Sequence, residues 1–181
     1  MRNLILFLSF ALFTACASRP YPVTSPYYQI PKGSRLILKQ PLTIAPNKGR
    51  VYIQYGKVVN SMRPDNYYPH CWFLSWTIAP TETIIHPDQF VVTASMKNES
   101  YVSQQTPLMF ASSGLSDRLG MAASVTAIEY LTQLTIHSDK QPDIRQFVCN
   151  HWEDPLDAKH LTVAEINQAL GDIAELKPLG K

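Results

Sequence analysis

Glycine is scarce in this chain, with 7 residues among 181, while proline reaches 14. No glycine-rich run exists to let backbone N–H groups close around a phosphate, so nucleotide-binding loops of the G-x-G-x-x-G or G-x-x-x-x-G-K kind are excluded. Cysteine is limited to three residues, none spaced C-x-x-C, which removes thioredoxin-like redox chemistry. The five histidines are scattered without an H-E-x-x-H pattern, and Ser112-Ser113-Gly114 lacks the flanking glycine of a hydrolase elbow. Charged residues make up 17% of the chain and leave a net charge of +2. That balance provides no electrostatic footprint for a nucleic-acid partner, and no cofactor motif is present. Long apolar runs are missing too: Leu4 to Phe13, interrupted by Ser9, is the longest, half of the ~20 residues a spanning helix needs.

What is present suits one folded domain. The composition is 45% hydrophobic and 10% aromatic, enough to offset the entropy of ordering the chain. Abundant proline implies short elements joined by shaped loops.

The N-terminus carries an export pattern. Met1-Arg2-Asn3 is a short basic start, Leu4–Phe13 an apolar stretch, and Thr14-Ala15 a pair of small residues before Cys16. Arg19-Pro20-Tyr21-Pro22 would stop a buried helix at once. The run Leu12-Phe13-Thr14-Ala15-Cys16 resembles the lipobox of bacterial lipoproteins, with Phe13 in place of the usual aliphatic residue. The resemblance implies that residues 1–15 are a signal peptide, removed before Cys16, and that Cys16 carries acyl chains. Two or more chains at ~0.8 kcal/mol per buried methylene hold a protein on a membrane stably. Ala17 and Ser18 follow the cysteine in place of Asp, which in that family implies delivery to the outer membrane, with the domain facing the periplasm. Residues 16–26 read as a lipidated cysteine and proline-rich, extended tether, and residues 27–181 as a single β-rich periplasmic domain.

Two further cysteines remain, Cys71 and Cys149. In an oxidising compartment a single pair suggests a disulfide. The alternatives are two buried free thiols or a zinc site completed by His70 and His151. The zinc set lacks the usual ligand spacing, and adjacent His70 and Cys71 would point to opposite faces of a strand.

Period-two patterning dominates the rest. Residues 35–39, 50–55, 71–78, 90–94, 126–137 and 144–149 read as strands. Val51, Ile53 and Tyr55 would share a face. So would Trp72, Leu74, Trp76 and Ile78, opposite Cys71, Phe73, Ser75 and Thr77, as expected of a central strand. The turn signal Asn47-Lys48-Gly49 suggests a hairpin between 35–39 and 50–55. Residues 59–70 and the Ser/Gly/Ala-rich 111–124 read as loops, and 97–106 is polar. One helix is predicted: Thr162-Val163-Ala164-Glu165 has capping-box form, Val163, Ile166, Leu170 and Ile173 make one stripe, and Gly171 ends it before an extended 173–176. The fold class is therefore α+β: a mostly antiparallel sheet of five to seven strands, sandwich or open barrel-like, with one C-terminal helix.

Candidate chemistry is thin. His86-Pro87-Asp88 matches the tripeptide of J-domains, but its β-like context favours a turn that starts a strand. Glu153 and Asp154 are adjacent in sequence, unlike a glycosidase pair facing across a sugar, and read as a surface turn. Tyr27-Tyr28 and Tyr67-Tyr68, in loop or linker contexts, add to Trp72 and Trp76 and suit a protein interface, with Tyr67 and Tyr68 as the candidate residues and completion of the core as the alternative. Around Gly49–Gln54, Tyr68–Cys71 and Leu161–Ile166 the domain loosely resembles small proteobacterial lipoproteins without assigned activity. The expectation is a non-enzymatic, lipid-anchored envelope protein that joins an assembly such as an outer-membrane secretion or transport complex. A periplasmic ligand binder or enzyme with an unrecognised site is the alternative.

Overall fold

Alternating apolar residues form strands because the pleat sends every second side chain to the same face. Among the described residues ten segments are strands, the longer ones built on this alternation. The computed structural model describes residues 21–59, 63–103, 126–157 and 159–180. The leader 1–15, Cys16 and the loop expected at 111–124 lie outside the described residues. The strands are β1 (Arg35–Leu38), β2 (Leu42–Ile44), β3 (Arg50–Gln54), β4 (Lys57–Val59), β5 (His70–Ser75), β6 (Thr83–Ile85), β7 (Asp88–Ser103), β8 (Thr126–His137), β9 (Ile144–Glu153) and β10 (Ala174–Lys177), with helix α1 (Val163–Leu170) between the last two. Eight strands make one antiparallel sheet in the order β10-β1-β7-β8-β9-β5-β3-β4, and β2 pairs with β6 in a separate ribbon. The large sheet curls into a half-barrel. The α+β class holds, as an open barrel with more strands than expected.

The inner face holds the core. The Phe73 ring packs tilted against Phe90 at 5.9 Å and Phe147 at 5.1 Å, and Leu36, Ile53, Leu134 and Ile85 are fully buried around them. Helix α1 closes the concave side by laying Val163, Ile166, Ala169 and Leu170 against β3, β5 and β10. Its start is the capping box expected from sequence: Glu165 N donates to Thr162 Oγ1 at 3.2 Å, and Thr162 N donates to Glu165 Oε2 at 2.8 Å.

Several expectations fail for identifiable reasons. The 35–39/50–55 hairpin does not form: β1 pairs with β10 and β7, and β3 with β4 and β5. Pro41 and the separate β2 ribbon divert the chain between them. Tyr55 leaves the strand face because it takes φ 54° in the β3–β4 turn. Strand β5 stops at Ser75, so Trp76 and Ile78 project into solvent, and the core face is that of Cys71 and Phe73. β7 continues to Ser103 through much of the polar stretch 97–106, and β9 continues to Glu153. Residues 57–59, 83–85 and His70, not expected in strands, complete the pairings. The described end of the proline-rich tether is turned rather than extended, with Ser25 N donating to Pro22 O and Tyr28 N to Ser25 O.

The helix C-terminus meets the β3–β4 turn through two glycines. Gly56 N donates to Ala169 O at 2.9 Å. Gly171 has φ 54°, and a Cβ there would stand 2.7 Å from Gly56 Cα. Gly171→Ala is therefore expected to cost at least ~2 kcal/mol, from left-handed strain plus a backbone clash. Leu170→Ala, at a fully buried position, should cost ~2–5 kcal/mol. Urea denaturation measures both. Losses within the ~0.5 kcal/mol of ordinary surface changes would show that α1 does not dock as described.

Candidate functional site

The convex face of the half-barrel gathers aromatic residues because β3, β5 and β9 carry them at alternate positions. Tyr52 lies opposite Trp72, and Gln54 opposite His70, which in turn faces Asn150. Tyr52 and Trp72 rings sit 5.6 Å apart, His70 stacks on Trp72 at 5.8 Å, and the Arg50 guanidinium lies 5.8 Å over Tyr52. At the strand end, Arg145 is the extra residue where β9 shifts register against Leu74 and Ser75, and its guanidinium covers the exposed Trp76 ring at 3.9 Å.

One loop, residues 63–69, folds over the other end of this face and presents Tyr67 and Tyr68. Its anchor is Gln54, a buried amide on β3. Gln54 Nε2 donates to the carbonyls of Asp65 (2.8 Å) and Tyr68 (3.2 Å), while its Oε1 accepts from Asp65 N at 3.1 Å. Trp152 N donates to Asn66 O at 2.7 Å, and Tyr67 N donates to Asp65 Oδ1 at 3.1 Å. His70 Nδ1 lies 3.1 Å from Tyr68 O. Under the loop, Asn150 Nδ2 donates to Glu129 Oε1, and Ser100 Oγ donates to Glu129 Oε2 at 2.9 Å. Tyr67 packs edge-on against Trp152 at 5.6 Å, and Tyr68 against Tyr55 at 5.7 Å. Even so, Tyr67 is 50% and Tyr68 52% exposed. They do not complete the core. They form a fixed aromatic rim, with Tyr55 and Trp152 as members that sequence reasoning missed. Alternation places Tyr55 in a strand, and Trp152 lies beyond the expected end of its strand at Cys149.

The concave face becomes polar toward the far end of β7 and β8. Tyr130 lies opposite both His151 and Glu99, and His160, from the segment before α1, meets the Tyr130 ring edge-on at 5.0 Å. His160 Nε2 stands 3.3 Å from Glu99 Oε1, and His151 Nε2 stands 3.2 Å from Glu153 Oε1. Tyr130, His151 and His160 are all buried. Among the described residues the Nδ1 atoms of both histidines have no hydrogen-bond partner. Burial pushes the His151 imidazole down to about 4 and His160 downward too, the latter helped by the nearby Lys97 ammonium. Burial also lowers Lys97 and raises the Glu153 carboxyl. This is a cluster of neutral imidazoles held beside carboxylates. Burial raises rather than activates the Tyr130 phenol.

Cys71 and Cys149 lie directly opposite each other on β5 and β9, joined by a disulfide of 2.07 Å with Cα atoms 4.0 Å apart. Free thiols and zinc ligation are therefore both set aside for this pair. His70 and His151 lie on opposite faces of the sheet by strand parity, and no group of three or more metal-ligating side chains occurs among the described residues. His86-Pro87-Asp88 is the connection from β6 into β7. Gln141 clamps it by accepting from His86 N at 2.8 Å and donating to His86 O at 3.0 Å, while Ser138 Oγ donates to Asp88 Oδ2 at 2.5 Å. Glu153 ends β9, and Asp154 caps the next turn by accepting from Leu156 N at 3.2 Å.

The histidines set a pH dependence. An imidazole at about 4 in the folded state and ~6.5 in the unfolded state makes the unfolded chain bind more protons in that window. Stability is thus fully present above ~6.5 and falls as pH drops toward 4, by on the order of 3 kcal/mol for His151. His160 and His70 shift in the same direction; raised Glu153 acts oppositely near its own range. Denaturant titrations at pH 7.5, 6 and 5 should show this slope, flattened in His151→Phe. Equal stability at all three would contradict it. Reduction should lower the melting temperature, and maleimide labelling of denatured, unreduced protein should miss Cys71 and Cys149; labelling of both would refute the bond. No family model, curated protein or solved structure matches this chain.

Proposed function

We propose that this protein is a non-enzymatic, lipid-anchored component of the cell envelope, held at the outer membrane through Cys16 and facing the periplasm, where it docks an envelope protein through its aromatic rim. The observation that carries the docking role is the pinned loop 63–69. Tyr67 and Tyr68 are half exposed, yet their backbone is already held by Gln54 and Trp152. Rigid tyrosines bind with little ordering cost, and they combine an apolar ring with a hydrogen-bonding hydroxyl. The anchor role is supported by the run Leu12–Cys16 and by a cross-strand disulfide suited to an oxidising compartment. One observation favours a second reading, a small-ligand binder: the buried His151 and His160 with unpartnered Nδ1 atoms.

The experiment is crosslinking in intact cells, followed by capture of the tagged protein. Tyr67→Ser/Tyr68→Ser should lose the crosslinked partner at least tenfold while keeping its melting temperature. Cys16→Ser should leave the membrane fraction. An unchanged partner yield in the double variant would overturn the docking role. A His160→Leu variant that alone loses function would move the site to the concave cluster.

A further inference from the structure

The first described residues after the expected anchor form a small apolar surface of their own. Tyr21 and Tyr27 are 58% and 59% exposed, with Val23 exposed between them, and the two rings meet at 5.5 Å. We infer that the surface built by Tyr21, Val23 and Tyr27 is the side of the domain that rests on the lipid headgroups of the membrane.

The inference rests on the lipid-anchor reading of Cys16. Tyr21 follows Cys16 by five residues, which span at most roughly 18 Å when fully extended. The polar headgroup layer is itself ~5–8 Å deep. A surface tethered so closely meets the bilayer at high effective concentration, without needing strong intrinsic affinity. Its chemistry fits that neighbour. Tyrosine gathers at membrane–water interfaces, with the ring toward the acyl boundary and the hydroxyl in the polar layer. No acidic residue lies in the segment, and Arg19 and Lys32 flank it in sequence; the carboxylate of Glu99 at the same end stands 3.3 Å from His160 Nε2.

The segment is also a fixed part of the domain. Tyr27 N donates to Ser25 Oγ at 3.2 Å, Gln29 Nε2 donates to Ser95 O at 2.8 Å, and Lys97 Nζ donates to Pro26 O. The last two bonds tie it to β7. The exposed Tyr101 lies four residues beyond Lys97 on the same face of β7, so it belongs to the same end of the half-barrel. Membrane contact here therefore orients the whole sheet.

The test uses the full chain, extracted with its lipid and reconstituted into vesicles of phosphatidylethanolamine and phosphatidylglycerol. Nitroxides are placed singly by Val23→Cys, Tyr21→Cys and, as a control in the β8–β9 turn, Lys140→Cys. Mass spectrometry reads acylation of Cys16 in the same samples. The expected result is that positions 21 and 23 are at least fivefold less accessible than 140 to a water-soluble nickel chelate, and more accessible to oxygen. Acylated protein with equal nickel access at all three positions overturns the membrane-facing assignment and leaves the anchor reading intact. Protection at 21 and 23 from both reagents indicates contact with protein, a partner or a second copy, and overturns it as well. An unmodified Cys16 overturns the anchor reading itself, and this assignment with it.

Discussion

One unpaired residue in β7 determines what each end of the half-barrel contains. Val92 faces Ile136 and Ala94 faces Thr135, so Thr93 is an extra residue in the ladder. Its hydroxyl settles by donating to Thr135 O at 3.1 Å. Since side chains alternate, the insertion switches the concave face from the even positions Phe90 and Val92 to the odd positions Ser95, Lys97, Glu99 and Tyr101. Without it, Lys97 and Glu99 would point to the convex side, and neither His160 nor the carbonyl of Pro26 would find its partner. A bulge also bends and twists its strand, in keeping with the curl of the sheet around α1.

The same insertion explains where sequence reasoning stopped. Strands with one apolar face, such as β3 with Val51 and Ile53 or β8 with Leu134 and Ile136, were legible because the alternation is local. So was α1, whose capping box and stripe lie within a few residues of one another. The far half of β7 was not legible: its inward and outward residues are both polar, and the phase changes at Thr93. Three-residue β4 and β6 are too short to show a period. The partners of β1 come from the other end of the chain and from β7, and no local turn signal reports such pairings.

For the site, tyrosines in a loop were legible as interface candidates, but their support was not. Gln54 is a lone amide in a strand, and only the fold reveals that it binds the loop backbone three times. The histidine cluster was hidden in the same way. His151 and His160 belong to different segments, and Glu99 arrives from a polar stretch that carries no strand signal. In both clusters partners come from segments far apart in sequence, Gln54 with residues 65–68 and His160 with Glu99.

The cross-strand position of Cys71 and Cys149 bears on how the sheet reaches its register. The strands β5 and β9 are brought together from 78 residues apart, and each carries apolar or aromatic side chains on both faces, so hydrophobicity alone discriminates weakly between neighbouring alignments. A slip of one residue would send the Cys149 sulfur to the opposite side of the sheet from Cys71; a slip of two would move it along the strand by ~6–7 Å, beyond bonding reach. Oxidation can therefore trap only the aligned pair. The disulfide is thus a covalent mark of one register, that in which the neighbouring strands β5 and β9 are aligned residue for residue at Cys71 and Cys149.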